Sequence, residues 1–302
     1  MFKKWTVLLV CLFTVLSFSA CGNNDQAKAQ DENKVKILVS FNAMKEFAQA
    51  VGQDKVEIST IIPDGTEPHD FEPKAQDLAG LTSAQLFVYS GLGMEAWADE
   101  AVKAANNPNL ITVEASKGIE AISNTEPEEI EEHGQYDPHV WLSLKGAEVE
   151  VNNIKDALVQ ADPSNKDYYE KNSNDYISKL ESLYNEYNEK FQSVDRKSFV
   201  TGHAAFAYLC KDFGLEQNSV EDVFAEGEPS AQQLTELVKY CRENKVTTVF
   251  AEEMASPEVS KTLADEVGAK VETIYTMESN EDDMTYLERI KDNLSKILDS
   301  LK

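Results

Sequence analysis

From Val35 onward, short apolar runs alternate with segments whose apolar residues recur every three or four positions. VKILVSF at 35–41 predicts a strand, and Ala43 to Val51 a helix closed by Gly52. VEISTII at 56–62 predicts a second strand, stopped by Pro63. Gln76 to Ala84 and Met94 to Ala105 read as helices on either side of a strand at 86–89. A second set begins near Lys197, with strands expected at 198–201, 246–251 and 271–275. Helices are expected over 204–213, 229–244 and 257–267, the last closed by Gly268. Leu287, Ile290, Leu294, Ile297, Leu298 and Leu301 mark one buried face of a final helix. Alternation of this kind predicts an α/β fold with mostly parallel sheets.

Between the sets lies a long helical run. Asp162 and Pro163 form a start signal, and Tyr176, Leu180, Leu183, Tyr187 and Phe191 repeat at helical spacing. About thirty residues would span roughly 45 Å at the α-helical rise. The expected organisation is therefore two α/β lobes, 35–161 and 195–302, joined by one long rigid helix at 162–194.

The amino-terminal segment falls outside this pattern. Lys3 and Lys4 precede an uncharged run from Trp5 to Phe18, and Ser19-Ala20 supplies small residues for processing. The run is shorter than the roughly 20 residues that span a bilayer. Residues 1–20 read as an export signal, and the polar stretch 21–34 as a flexible tether. Removing 1–20, which carries two lysines and no acid, moves the formal charge from −26 to −28. So acidic a chain lacks the basic surface that binds nucleic acid or anionic lipid. Outside the cytosol a disulfide between Cys210 and Cys241 is permitted, and the spacing leaves open whether one forms.

Histidine is scarce, with four in 302 residues. His69 lies in PDGTEPHDFEP (63–73), after the second expected strand. His139 lies in DPHVWL (137–142), and His203 in TGHAAFAY (201–208), where a strand turns into a helix. The ends of parallel strands are where open α/β sheets bind ligands. Three imidazoles converging from different elements suit a borderline cation such as zinc. His133 belongs to a Glu-rich loop (EPEEIEEHG, 126–134) and reads as solvated.

These three motifs, with YSGLGMEAW (89–97), EPSA (228–231) and FAEE (250–253), resemble the metal-binding lipoproteins of zinc and manganese ABC importers. The resemblance covers nearly the whole processed chain and is strongest to the high-affinity zinc-uptake subgroup. It implies a metal site in the cleft between the lobes, with His69, His139 and His203 as ligands. A carboxylate after the last strand completes the site in many members, and Glu278 stands there, with Asp282 and Asp283 as neighbouring candidates. The resemblance also marks FSAC (18–21) as a lipoprotein box, with Cys21 lipidated and Phe18 where Leu is usual. Zinc-type relatives often carry a His-rich loop before the second ligand. Here Glu126, Glu128, Glu129, Glu131 and Glu132 take its place, and Leu144 replaces a usual Pro.

Manganese-type relatives tend to carry a carboxylate at the third position. His203 there gives a nitrogen-rich set, which favours Zn²⁺ over the oxygen-preferring Mn²⁺. The chain therefore reads as a monomeric solute-binding lipoprotein on the outer face of the bacterial cytoplasmic membrane. It would capture Zn²⁺ and deliver it to an ABC permease with its ATPase subunit. A manganese-binding homologue and a metal-dependent surface adhesin are the alternatives. A zinc hydrolase would need an open coordination position and a general base, and HExxH is absent. Glu252 and Glu253 are better read as partners that orient ligand histidines.

Overall fold

The computed structural model describes residues 34–302 apart from 125–129, 131–133, 224–229, 255–256, 281 and 283. The expected export signal, Cys21 and the tether before Lys34, the acidic stretch with His133, and Asp283 lie outside the described residues. Val35–Lys302 forms one compact unit.

Its amino-terminal half is a four-stranded sheet of β1 (Val35–Val39), β2 (Val56–Thr60), β3 (Leu86–Tyr89) and β4 (Ile111–Glu114). The order is β2-β1-β3-β4 and every pairing is parallel. β1 buries Val35, Ile37 and Val39 on one face and Leu38 on the other, with Lys36 exposed at its start. Helix α1 (Asn42–Gly52) returns the chain from β1 to β2, and α2 (Ala98–Ala105) connects β3 to β4. The carboxyl-terminal half repeats the plan with β5 (Ser198–Thr201), β6 (Glu216–Ser219), β7 (Thr248–Glu252) and β8 (Lys270–Ile274), ordered β6-β5-β7-β8 and again parallel. The two halves therefore share one strand order, and the two-lobe α/β expectation holds.

Helix α3 (Leu144–Ala161) leads into α4 (Lys166–Gln192), the long helix between the sheets. Ser143 caps α3, its Oγ accepting from the Gly146 N–H at 2.9 Å. Gly146 is required at that turn, because a Cβ there would stand 2.3 Å from the Val140 carbonyl oxygen. Asp162 organises the next corner, accepting from Ser164, Asn165 and Tyr169. That corner is one 3₁₀ turn (Pro163–Asn165), so the α-helix starts at Lys166. Its 27 residues span roughly 40 Å. Helices α5 (Ala207–Phe213), α6 (Ala231–Glu243), α7 (Glu258–Val267) and α8 (Tyr286–Ser300) complete the second half.

One continuous core runs through both halves, from Val35 to Leu301 by way of α3, α4 and α8. Two smaller clusters back the sheets: Leu38, Ile61, Leu81 and Phe87 in the first, Val200, Val249, Leu237 and Leu263 in the second. Cys210 packs into the main core and Cys241 into the second small cluster, so both thiols are free and buried.

The expected helix over 76–84 forms only turns and a 3₁₀ segment, Ala79–Thr82. Thr82 and Ser83 hydroxyls donate to the carbonyls of Ala79 and Gly80, ending the turn before a second can form. The helix expected from Met94 begins at Ala98. Among the described residues, no helix is long and apolar enough to cross a membrane.

Candidate metal site

His69, His203 and Glu278 lie on segments that follow the carboxyl ends of β2, β5 and β8, while His139 precedes the turn that leads into α3. β2 ends at Thr60, yet Ile61 and Ile62 still donate to the carbonyls of Val39 and Ser40, so the His69 loop starts from a fixed point. The Gly65 N–H donates to Ser279 Oγ at 2.7 Å, and the Asn280 N–H to Asp64 at 3.3 Å. These bonds tie the His69 loop to the Glu278 loop. The His69 N–H in turn donates to Glu67 Oε1 at 3.2 Å.

His139 precedes the 3₁₀ turn Val140–Leu142 and is fully buried. Asp137 Oδ1 accepts from both its backbone N–H and its Nδ1, each at 2.9 Å. A carboxylate can only accept, so the ring proton sits on Nδ1 and the Nε2 lone pair is free to face the cluster. The Asp137 carbonyl is held in turn by the Tyr208 hydroxyl at 2.8 Å.

His203 follows β5, and its backbone N–H donates to Glu252 Oε1 at 3.1 Å. Gly202 beside it leaves room for that carboxyl, since a Cβ there would lie 2.0 Å from Glu252 Oε2. Burial pushes Glu252 up to about 8 and holds His203 well below the usual imidazole range, with the nearby His139 adding to the second effect. His203 is therefore neutral near neutral pH, its lone pair available.

Glu278 sits on the loop after β8. Thr276 donates its hydroxyl to Glu278 Oε2 at 2.9 Å, while Oε1 has no hydrogen-bond partner among the described residues. Burial, then the charges of Glu67 and Glu253, raise the Glu278 carboxyl well above its ordinary value. Glu253 accepts from the N–H groups of Thr276 and Met277 and so fixes the loop. Asp282 does something else: it pairs with buried Arg289 at 2.6 Å, and its hydrogen bonds hold its carboxyl below the usual range.

The four side chains meet. His69 Nε2 lies 3.1 Å from His139 Nε2, which lies 3.4 Å from His203 Nε2. Glu278 Oε1 is 3.7 Å from His139 Nε2 and 3.9 Å from His69 Nε2. One ligand atom from each of the four falls within 4.8 Å of the others. Four ligands about 2.0–2.1 Å from a tetrahedral zinc would stand about 3.3 Å apart. Nitrogen lone pairs this close, with an ionisable oxygen beside them, repel unless a cation or a proton lies between them. The sequence motifs carry no expectation for Asp137, which lies inside DPHVWL, or for Thr276, which lies just before Glu278. Their signal was a polar residue two positions before a ligand.

Two parallel α/β lobes around a buried, cation-sized set of three imidazoles and a carboxylate define a solute-binding protein. Over residues 37–300 the chain matches the family described as the periplasmic component A of the zinc-uptake complex. It belongs to that family. It is 41% identical to a putative metal-binding protein of Treponema pallidum, over 98% of this chain and 96% of that one. It is 40% identical to the high-affinity zinc uptake system protein of Bacillus subtilis, over 100% and 99%. The fold superposes on a zinc-bound mutant variant of AdcAII from Streptococcus pneumoniae with a TM-score of 0.81 and 33% identity, covering 90% of this chain and 100% of that one. The family consists of extracytoplasmic solute-binding proteins that work with ABC transporters.

Proposed function

We propose that His69, His139, His203 and Glu278 are the point at which this zinc-uptake component takes up Zn²⁺ for its ABC permease. The observation that carries the reading is the convergence of one ligand atom from each of the four, within 4.8 Å, in a buried pocket. Three neutral imidazoles and one carboxylate leave Zn²⁺ with one net positive charge. A protein oxygen in the fourth position closes the site, whereas hydrolytic zinc keeps a water there. Asp137 orients His139, Glu252 braces the backbone at His203, and Glu253 holds the Glu278 loop. The chemistry ends at capture.

The same reading takes 35–161 and 195–302 as the lobes on a strut at 162–194, and the protein as a monomer. Residues 1–20 would be the export signal and 21–34 the tether, with a lipid on Cys21 anchoring the chain to the outer face of the cytoplasmic membrane. Cys21→Ala should then move the protein from the membrane fraction into the medium. Retention of the variant on the membrane would rule the anchor out.

Metal analysis with competition titration of the processed chain tests the capture reading, with His203→Glu measured alongside. One Zn²⁺ per chain, held in preference to Mn²⁺, is expected, and His203→Glu should narrow that preference. A wild-type protein that preferred Mn²⁺ would overturn the metal assignment.

A further inference from the structure

We infer that the Thr276 hydroxyl keeps Glu278 a one-oxygen ligand and thereby sets the preference of the site for a tetrahedral cation. The inference rests on the ligand set just proposed and adds to it a residue that touches no metal.

Thr276 follows β8 and is 1% exposed. Its main chain is held from two sides. Both Glu253 oxygens accept its N–H, at 3.1 and 2.9 Å, and its carbonyl accepts the Trp141 indole N–H at 2.7 Å. Met277, next in the chain, takes a left-handed φ of 61°, and its N–H is also bound to Glu253. The hydroxyl therefore sits on a fixed backbone. It has one proton and two carboxylates in range, Glu278 Oε2 at 2.9 Å and Glu253 Oε1 at 3.5 Å. The shorter and stronger bond goes to Glu278.

That bond divides the two oxygens of Glu278. Oε2 is engaged by Thr276, while Oε1 is left facing His139 and His69 with no other partner among the described residues. A two-oxygen grip would make Oε2 share its electron density between the cation and Thr276, which competes with that bond. With one oxygen and three nitrogens the site is four-coordinate, which suits Zn²⁺. Mn²⁺ favours more ligands, mostly oxygen, and gains from the second carboxylate oxygen that Thr276 withholds.

The test compares wild type with Thr276→Val, which keeps the shape and loses the hydroxyl, and Thr276→Ser, which restores it. Each protein is loaded with Co²⁺, whose visible absorption is intense in tetrahedral sites and weak at higher coordination. Each is also titrated with Zn²⁺ against Mn²⁺, and its thermal unfolding is recorded without metal. Wild type and Thr276→Ser should show the intense band. Thr276→Val should show a weaker one, with the Zn²⁺ preference reduced about tenfold, at a similar metal-free Tm. If Thr276→Val fails to fold, Thr276→Ala carries the same expectation. A Val or Ala variant with the wild-type band and preference overturns the inference and leaves the ligand set standing. A Glu278→Gln variant matching wild type in both readouts overturns the ligand set itself.

Discussion

At the residue scale, two of the candidate ligands are set by their surroundings. Asp137 holds the His139 ring by Nδ1 at 2.9 Å, and burial keeps His203 neutral. Asp137→Asn should lower zinc affinity about 10- to 100-fold, because the amide no longer enforces the Nδ1–H tautomer. Isothermal titration against a competing chelator measures the loss, and unchanged affinity would remove Asp137 from the account. The three histidines were legible in the sequence because the residue is scarce and two of them, His69 and His203, follow expected strands. Glu278 was legible through resemblance, and the structure separates it from Asp282 by giving the latter to Arg289. Asp137 and Thr276 were not legible as partners, because a hydrogen bond between residues i and i+2 depends on backbone angles that composition and period do not encode.

At the element scale, α8 places the Glu278 loop. Arg289 of α8 donates to Ser279 O, Asn280 Oδ1 and Asp282, and pairs with Glu46 of α1 at 3.6 Å. One buried guanidinium thus joins the Glu278 loop to a helix of the other lobe. Arg289→Met should destabilise the fold by about 3 kcal/mol, because it strips partners from part-buried carboxylates, and should weaken zinc binding as well. Denaturant unfolding and zinc titration check the two effects. Helix α3 carries a different burden. Glu150 is fully buried, neither carboxylate oxygen has a hydrogen-bond partner among the described residues, and burial followed by the charge of Glu95 raises its carboxyl well above 4.5. The folded state therefore holds a proton that the unfolded chain releases, and this group lowers stability as pH rises above about 4.5. Glu150→Gln should raise the Tm of the metal-free protein at pH 7.5, where the unfolded Glu150 is ionised, with little gain at pH 4.5. An equal gain at both values would contradict the argument. Most elements followed from period alone. The edge strands β4 and β6 did not, and β6 (EQNS) has no apolar residue to mark it. Helix α3, whose start lies beside the motif that carries His139, is likewise not among the expected elements.

At the scale of the whole molecule, two sheets of one topology share a continuous core and a 27-residue helix. A core that runs through both lobes resists wide hinge opening, so release should proceed by local movement of ligand loops. Small-angle scattering should show the radius of gyration of metal-free and zinc-loaded protein agreeing within about 1 Å. A larger contraction on loading would show that the lobes move as bodies. The large acidic excess (54 Asp+Glu against 28 Lys+Arg) excluded partners and did not indicate the site; the four histidines did. The central claim is that three imidazoles and one carboxylate oxygen hold the cation, and zinc-edge X-ray absorption on the loaded chain tests it most directly. Three nitrogens and one oxygen at about 2.0–2.1 Å are expected, with the oxygen contribution altered in Glu278→Ala. A six-coordinate oxygen shell, or a spectrum unchanged when His203 is replaced by alanine, would contradict it.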